Sequence, residues 1–143
     1  MGLLDFWHRF QRTSQAGRAL KALCAEVDAN LEACYVMFQI NRRRSFQTAG
    51  LQAMAGFADI KFDDAMERYV RAIDRYQTAL HEFQEYERWY TADPERKTKE
   101  NAQLLHEKKA TVETCFDGLE PVIKAAQASV TAMIRENSNG PRT

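Results

Sequence analysis

The feature that most constrains this chain is a heptad repeat in its middle. From Phe62 the sequence falls into sevens, FDDAMER, YVRAIDR, YQTALHE and FQEYERW, and closes on Tyr90. An aromatic residue leads every heptad (Phe62, Tyr69, Tyr76, Phe83, Tyr90), Ala holds the fourth place in the first three, and Met66, Ile73 and Leu80 hold the fifth. A two-stranded coil needs two apolar places in seven; three make a stripe wide enough to face two neighbouring helices. The repeat therefore predicts a helix over residues 62–91 at the centre of a bundle. Asp64 with Glu67 reads as a capping box at its start. Thr91-Ala92-Asp93-Pro94 reads as a tight turn at its end, with Asp93 as N-cap and Pro94 as the first residue of the next helix.

The same period flanks the repeat on both sides. Leu20, Cys24, Val27, Leu31, Cys34 and Phe38 alternate in threes and fours, lose phase near Asn41, and resume shifted at Phe46, Ala49, Ala53 and Gly56, which predicts one stuttered helix over 16–56. Gly50 and Gly56 would thin its end enough for a neighbour to approach closely. Leu105, Val112, Phe116, Leu119, Ile123, Ala126, Val130 and Met133 predict a third helix over 94–136. Gly118 and Pro121 should kink it, because Pro cannot donate to the carbonyl four residues back. The expected fold is all-α: an up-down-up antiparallel three-helix bundle, coiled-coil-like, over 14–136. A short amphipathic helical segment (1–13) would precede it and a disordered tail (137–143) would follow.

Composition agrees with one helical domain. The 143 residues include only six Gly and three Pro, and 45% are hydrophobic, enough for a core and too few turn formers for a β fold. Lys plus Arg equals Asp plus Glu at 20 each, so no global field draws the chain to nucleic acid or an anionic membrane. Cys24, Cys34 and Cys115 lack metal-ligand spacing and read as reduced core thiols. Charges interrupt the N-terminal apolar run before it reaches signal-peptide length, and no segment is apolar enough to span a bilayer, so the expected location is cytoplasmic.

Chemistry-bearing motifs are lacking. His81 and His106 have no Glu three residues before them, as di-iron bundles require, and no phosphate loop or nucleophile elbow occurs. No catalytic residue, metal or cofactor is expected, and no family resemblance emerges.

Two surface features remain. Leu3, Phe6, Trp7 and Phe10 share one face of the N-terminal dozen, MGLLDFWHRFQR, with His8, Arg9 and Arg12 elsewhere, a pattern suited to docking on a protein groove or a membrane interface. Its alternative use is to cap the open end of its own bundle. The outer helices span about 40 residues and the middle one about 30, so at ~1.5 Å per residue about 15 Å is left unmatched. Val130, Met133 and Ile134 would then overhang at the other end and join Leu3, Phe6, Trp7 and Phe10 as self-association residues.

The second feature is a mid-bundle basic belt of Arg42, Arg43, Arg44, Arg71, Arg75 and Lys109, a candidate for nucleic acid or another polyanion. Solvated or register-setting roles are the simpler reading of these residues. Glu26, Asp28, Glu32, Glu82, Glu85 and Glu87 would gather toward one end. Together these features describe a small, bacterial-looking, non-catalytic interaction module, self-associating or serving as an adaptor or accessory subunit. Polyanion binding and peripheral membrane attachment through residues 2–12 are the alternatives.

Overall fold

The computed structural model describes residues 3–37, 43–57 and 59–138, with the backbone alone at 5–13 and 138. The described chain is all-helical: α1 (Leu3–Val36), α2 (Ala49–Met54), α3 (Asp64–Ala92), a 3-10 turn (Pro94–Arg96), α4 (Lys99–Asp117) and α5 (Leu119–Ser138). No strand occurs among these residues.

The heptads of α3 bury the middle of their stripe, while Phe62, Ala65, Ala72 and Tyr90 are half-buried. Met66, Tyr69, Ile73, Tyr76, Leu80 and Phe83 are all buried, in alternating threes and fours, with Ala79 beside them. The cap sits one residue earlier than expected: Asp63 is the N-cap, and its carboxylate accepts from Met66 N at 3.0 Å. The same Oδ1 accepts from Ser129 Oγ at 2.8 Å, so the start of α3 is tied to α5. These bonds hold the Asp63 carboxyl below its ordinary range, the Met66 amide first and Ser129 second.

At the other end Asp93 caps the 3-10 turn, with Pro94 at its start, and Thr98 caps α4. The third helix therefore begins at Lys99 rather than at Pro94. It breaks at Gly118, between α4 and α5, yet the buried series Val112, Phe116, Leu119, Ile123, Ala126, Val130 runs through the break without losing phase. α5 continues to Ser138; residues 139–143 of the expected tail lie outside the described residues.

The first helix departs furthest from expectation. It is continuous from Leu3 and ends at Val36, twenty residues short of the predicted stop at 56. Asn41 and Arg42, where the stutter was placed, lie outside the described residues. Residues 43–48 have no helical hydrogen bonding, and α2 is a separate helix of six residues.

Register follows from paired residues. Gly17 lies by Asn137, Asp28 accepts from Gln127 at 2.7 Å, and Tyr35 donates to Glu120 at 3.0 Å, so α1 and α5 are antiparallel. Asp63 with Ser129, and Tyr76 with Phe116, make α3 antiparallel to the α4–α5 line. α1 and α3 consequently run parallel, and Asn30 bonds Tyr69 between them. The up-down-up order does not describe this path. After α1 the chain returns along it: Gln47 meets Asn30 and Gly50 meets Glu26.

The return segment is held by polar side chains of α1, because residues outside a helix carry backbone groups that need partners. Asn30 is almost fully buried; its Nδ2 donates to Gln47 O (3.0 Å) and Tyr69 Oη (2.8 Å), and its Oδ1 accepts from Gln47 N (3.0 Å). Glu26, also buried, accepts from Gly50 N (2.9 Å) and Leu51 N (3.3 Å). It thus caps α2 from another helix, in place of Thr48, whose own side chain makes no cap bond.

Gly50 is what lets α2 come so close. A Cβ there would lie 3.1 Å from the Leu23 Cα and 3.1 Å from Glu26 Oε2. Gly50→Ala should therefore destabilise the protein by about 1–3 kcal/mol through overpacking, although Ala is worth ~1 kcal/mol more than Gly in a free helix. Urea denaturation checks the sign. Asn30→Leu strands two backbone groups and the Tyr69 hydroxyl and should cost about 2–4 kcal/mol, while Tyr69→Phe removes one bond and should cost about 1 kcal/mol.

Candidate functional site

The structure divides the sequence-predicted belt. Arg43 is buried, its side chain 2% exposed, and is held within the fold. Its Nη2 donates to Glu113 Oε2 at 2.8 Å, its Nε donates to Met37 O at 3.2 Å just past the end of α1, and its guanidinium lies 3.8 Å from the centre of the Phe116 ring. A cation at a helix C-terminus also meets the negative pole of the helix dipole. Beside it the Arg44 carbonyl accepts from Tyr76 Oη at 3.2 Å, and Tyr76 packs between Phe46 and Phe116. A polar layer does cross the bundle at Tyr76, but it consists of Arg43, Glu113 and backbone. Arg44, Arg71, Arg75 and Lys109 are exposed, and Arg42 lies outside the described residues. With its middle arginine spent on packing, the belt loses one of its predicted residues. The expected acidic end also dissolves: Glu26 is buried against α2, whereas Glu82, Glu85 and Glu87 lie on the part of α3 beyond the end of α1.

Burial pushes the Tyr76 hydroxyl up to about 12, with Arg43 opposing, and pushes Tyr69 up to about 12, with the Asn30 bond opposing. A folded-state pKa above the ordinary value of 10.0 means that stability is fully present below pH 10.0 and falls as pH rises toward 12, because the unfolded chain releases these protons first. The urea midpoint should therefore drop above pH ~10, and Tyr76→Phe should drop less steeply. Burial likewise raises the Cys34 thiol to about 11, an inert core group. All three cysteines are free.

Both ends of the molecule carry unmatched helix. Beyond Phe83, α3 and α4 continue as a hairpin arm in which no residue from Gln84 to Thr111 is buried. Side-chain contacts hold this arm: Tyr86 Oη donates to Asn101 O (3.3 Å), Arg96 covers the Trp89 ring (4.8 Å) and donates to Trp89 O (2.9 Å), and Asn101 Nδ2 donates to Arg96 O (2.7 Å).

At the opposite end Asn137 of α5 lies beside Gly17, and the first four turns of α1 lie beyond that level. Leu3 and Leu4 there are 77% and 74% exposed. Phe6, Trp7 and Phe10 lie on the same helical stretch, their side chains outside the description. The overhang expected at the end of α5 is absent, because α1 covers it: Val130 is fully buried, and Met133 and Ile134 are half-buried against the core. Val130 is thus a core residue and cannot belong to a docking face.

A feature missed in the sequence lies near the overhang. α2, the linker after it and α3 enclose an open groove of about 480 Å³, lined by Leu51, Met54, Phe57, Ile60, Phe62 and Val70, with Ala55, Glu67 and Arg71 at its edges. Val70 is 37% exposed, an apolar residue on the outward side of α3. A partial signal for it was present: Val70 falls outside the heptad stripe, and Phe57 and Ile60 are apolar residues in the short segment between the first two predicted helices.

Two further properties bound the chemistry. Among the described residues no group of His, Cys, Asp and Glu comes together as a metal site, and no helix is long and apolar enough to cross a membrane. The chain matches no protein-family model, no curated protein and no solved structure.

Proposed function

We propose that this chain is a non-catalytic interaction module that docks through the first turns of α1 and self-associates by that route. The carrying observation is the run of α1 past the level at which Asn137 meets Gly17, with Leu3 and Leu4 at 77% and 74% exposure. A continuous helix with an apolar face offers its side chains to another molecule at little conformational cost, since the backbone is already ordered. The alternative in which this segment caps its own bundle is less favoured, because Leu3 and Leu4 are left exposed. Polyanion binding loses its central residue, since Arg43 is committed to Glu113, Met37 and Phe116.

Sedimentation equilibrium tests the proposal. Wild-type protein should show twice the 16.5 kDa chain mass at micromolar concentration. Leu3→Asp with Leu4→Asp should return it to 16.5 kDa with unchanged helix content, because both positions are exposed in the single chain. A wild-type monomer under these conditions would overturn self-association.

A further inference from the structure

Resting on that reading, we infer that the groove between α2 and α3 receives the first turns of α1 from a second copy, so that two chains clasp each other end to end. The groove cannot take its own α1. That helix is continuous from Leu3 to Val36, so its first turns lead along the axis and away from the groove. α3 runs parallel to α1, and a two-fold axis perpendicular to them brings the partner's α1 in antiparallel to α3. With Asn137 of α5 beside Gly17, the two bodies meet near that level and each overhang lies along the other body. The arrangement closes on itself and uses both surfaces twice.

Charge order supports the same direction. Along the overhang the signs run Asp5, Arg9, Arg12, at intervals of four and three residues; along α3 in the opposite direction they run Arg71, Glu67, Asp64, at the same intervals. Helix geometry ranks these matches. With positions 3, 6, 7 and 10 turned into the groove, position 9 lies at the flank of the helix and positions 5 and 12 on its outer side. Arg9 against Glu67, which edges the groove, is therefore the direct contact. Asp5 and Arg12 act across a greater distance, Arg12 toward the carboxylates that open α3. Leu51, Met54, Phe57, Ile60, Phe62 and Val70 supply the apolar floor for Leu3, Phe6, Trp7 and Phe10.

The test is a charge swap read by sedimentation equilibrium at low salt. Glu67→Arg alone and Arg9→Glu alone should each weaken the dimer about tenfold, since every reversal acts at two symmetric contacts. The chain carrying both Arg9→Glu and Glu67→Arg should recover it. Any cost of Glu67→Arg to α3 itself persists in the double variant, so recovery reports the contact and not folding. Val70→Arg, which fills the groove, should abolish dimerisation without rescue. A dimer that is broken by the Leu3→Asp, Leu4→Asp pair but indifferent to Glu67→Arg and Val70→Arg would overturn the groove while leaving docking through α1 in place. A wild-type monomer would overturn both.

Discussion

Because α1 and α3 point the same way, the chain must travel back along the bundle before α3 can begin. That journey is the constraint on which the architecture depends. Parallel helices cannot be joined by a tight turn, and the return brings a stretch of non-helical backbone against the core, where its amides and carbonyls need partners. Three polar side chains meet that need. Asn30 grips both backbone groups of Gln47 as a neighbouring strand would, Glu26 takes the free amides at the start of α2, and Arg43 turns back onto the last carbonyl region of α1. Each is buried and each would be costly alone, since a buried polar group without partners loses its hydration for nothing. Joined to the return segment, they hold it in one register.

The division between what could and could not be read from the residues follows the range of the interactions. Helix positions, their apolar faces and the break at Gly118 were legible because they depend on spacing within one segment. The α3 stripe is the clearest case, since Met66, Tyr69, Ile73, Tyr76, Leu80 and Phe83 are buried, with Phe62 and Tyr90 half-buried at its two ends. The stop of α1 was not legible: the residues after it retain helical spacing at Phe46, Ala49 and Ala53, and what ends the helix is a set of bonds between distant residues. One clue was available. The buried positions of α1 run Leu20, Leu23, Val27, Asn30, Cys34, Met37, and an Asn set in such a series asks for partners. Read with Cys24 and Leu31 in place of Leu23 and Asn30, the stripe hid it.

The topology error propagated into the site. Antiparallel alignment of the first two helices made the arginines of the belt level with one another and gathered the acidic residues of different helices at one end. With α1 and α3 parallel, Arg43 becomes a fastening for the return segment and the acidic residues separate. The reading of the N-terminal face does not depend on the topology, because it rests on Leu3, Phe6, Trp7 and Phe10 within one helix. The α2–α3 groove left only a partial trace in the sequence, in Val70, Phe57 and Ile60, because its walls come from three segments that only the return path brings together.

The parallel arrangement also has a bearing on how the molecule assembles. α3, α4 and α5 follow one another through short turns and form a hairpin whose contacts are close in sequence, whereas α1 reaches α5 across most of the chain. Loop-closure entropy favours the local hairpin first. The α3–α5 hairpin would then serve as the template, and α1 with its return segment would close over it as a clasp that opens without dismantling the rest. Amide exchange of such a protein would separate into two cooperative tiers, with the helix that carries the exposed leucines in the less protected one.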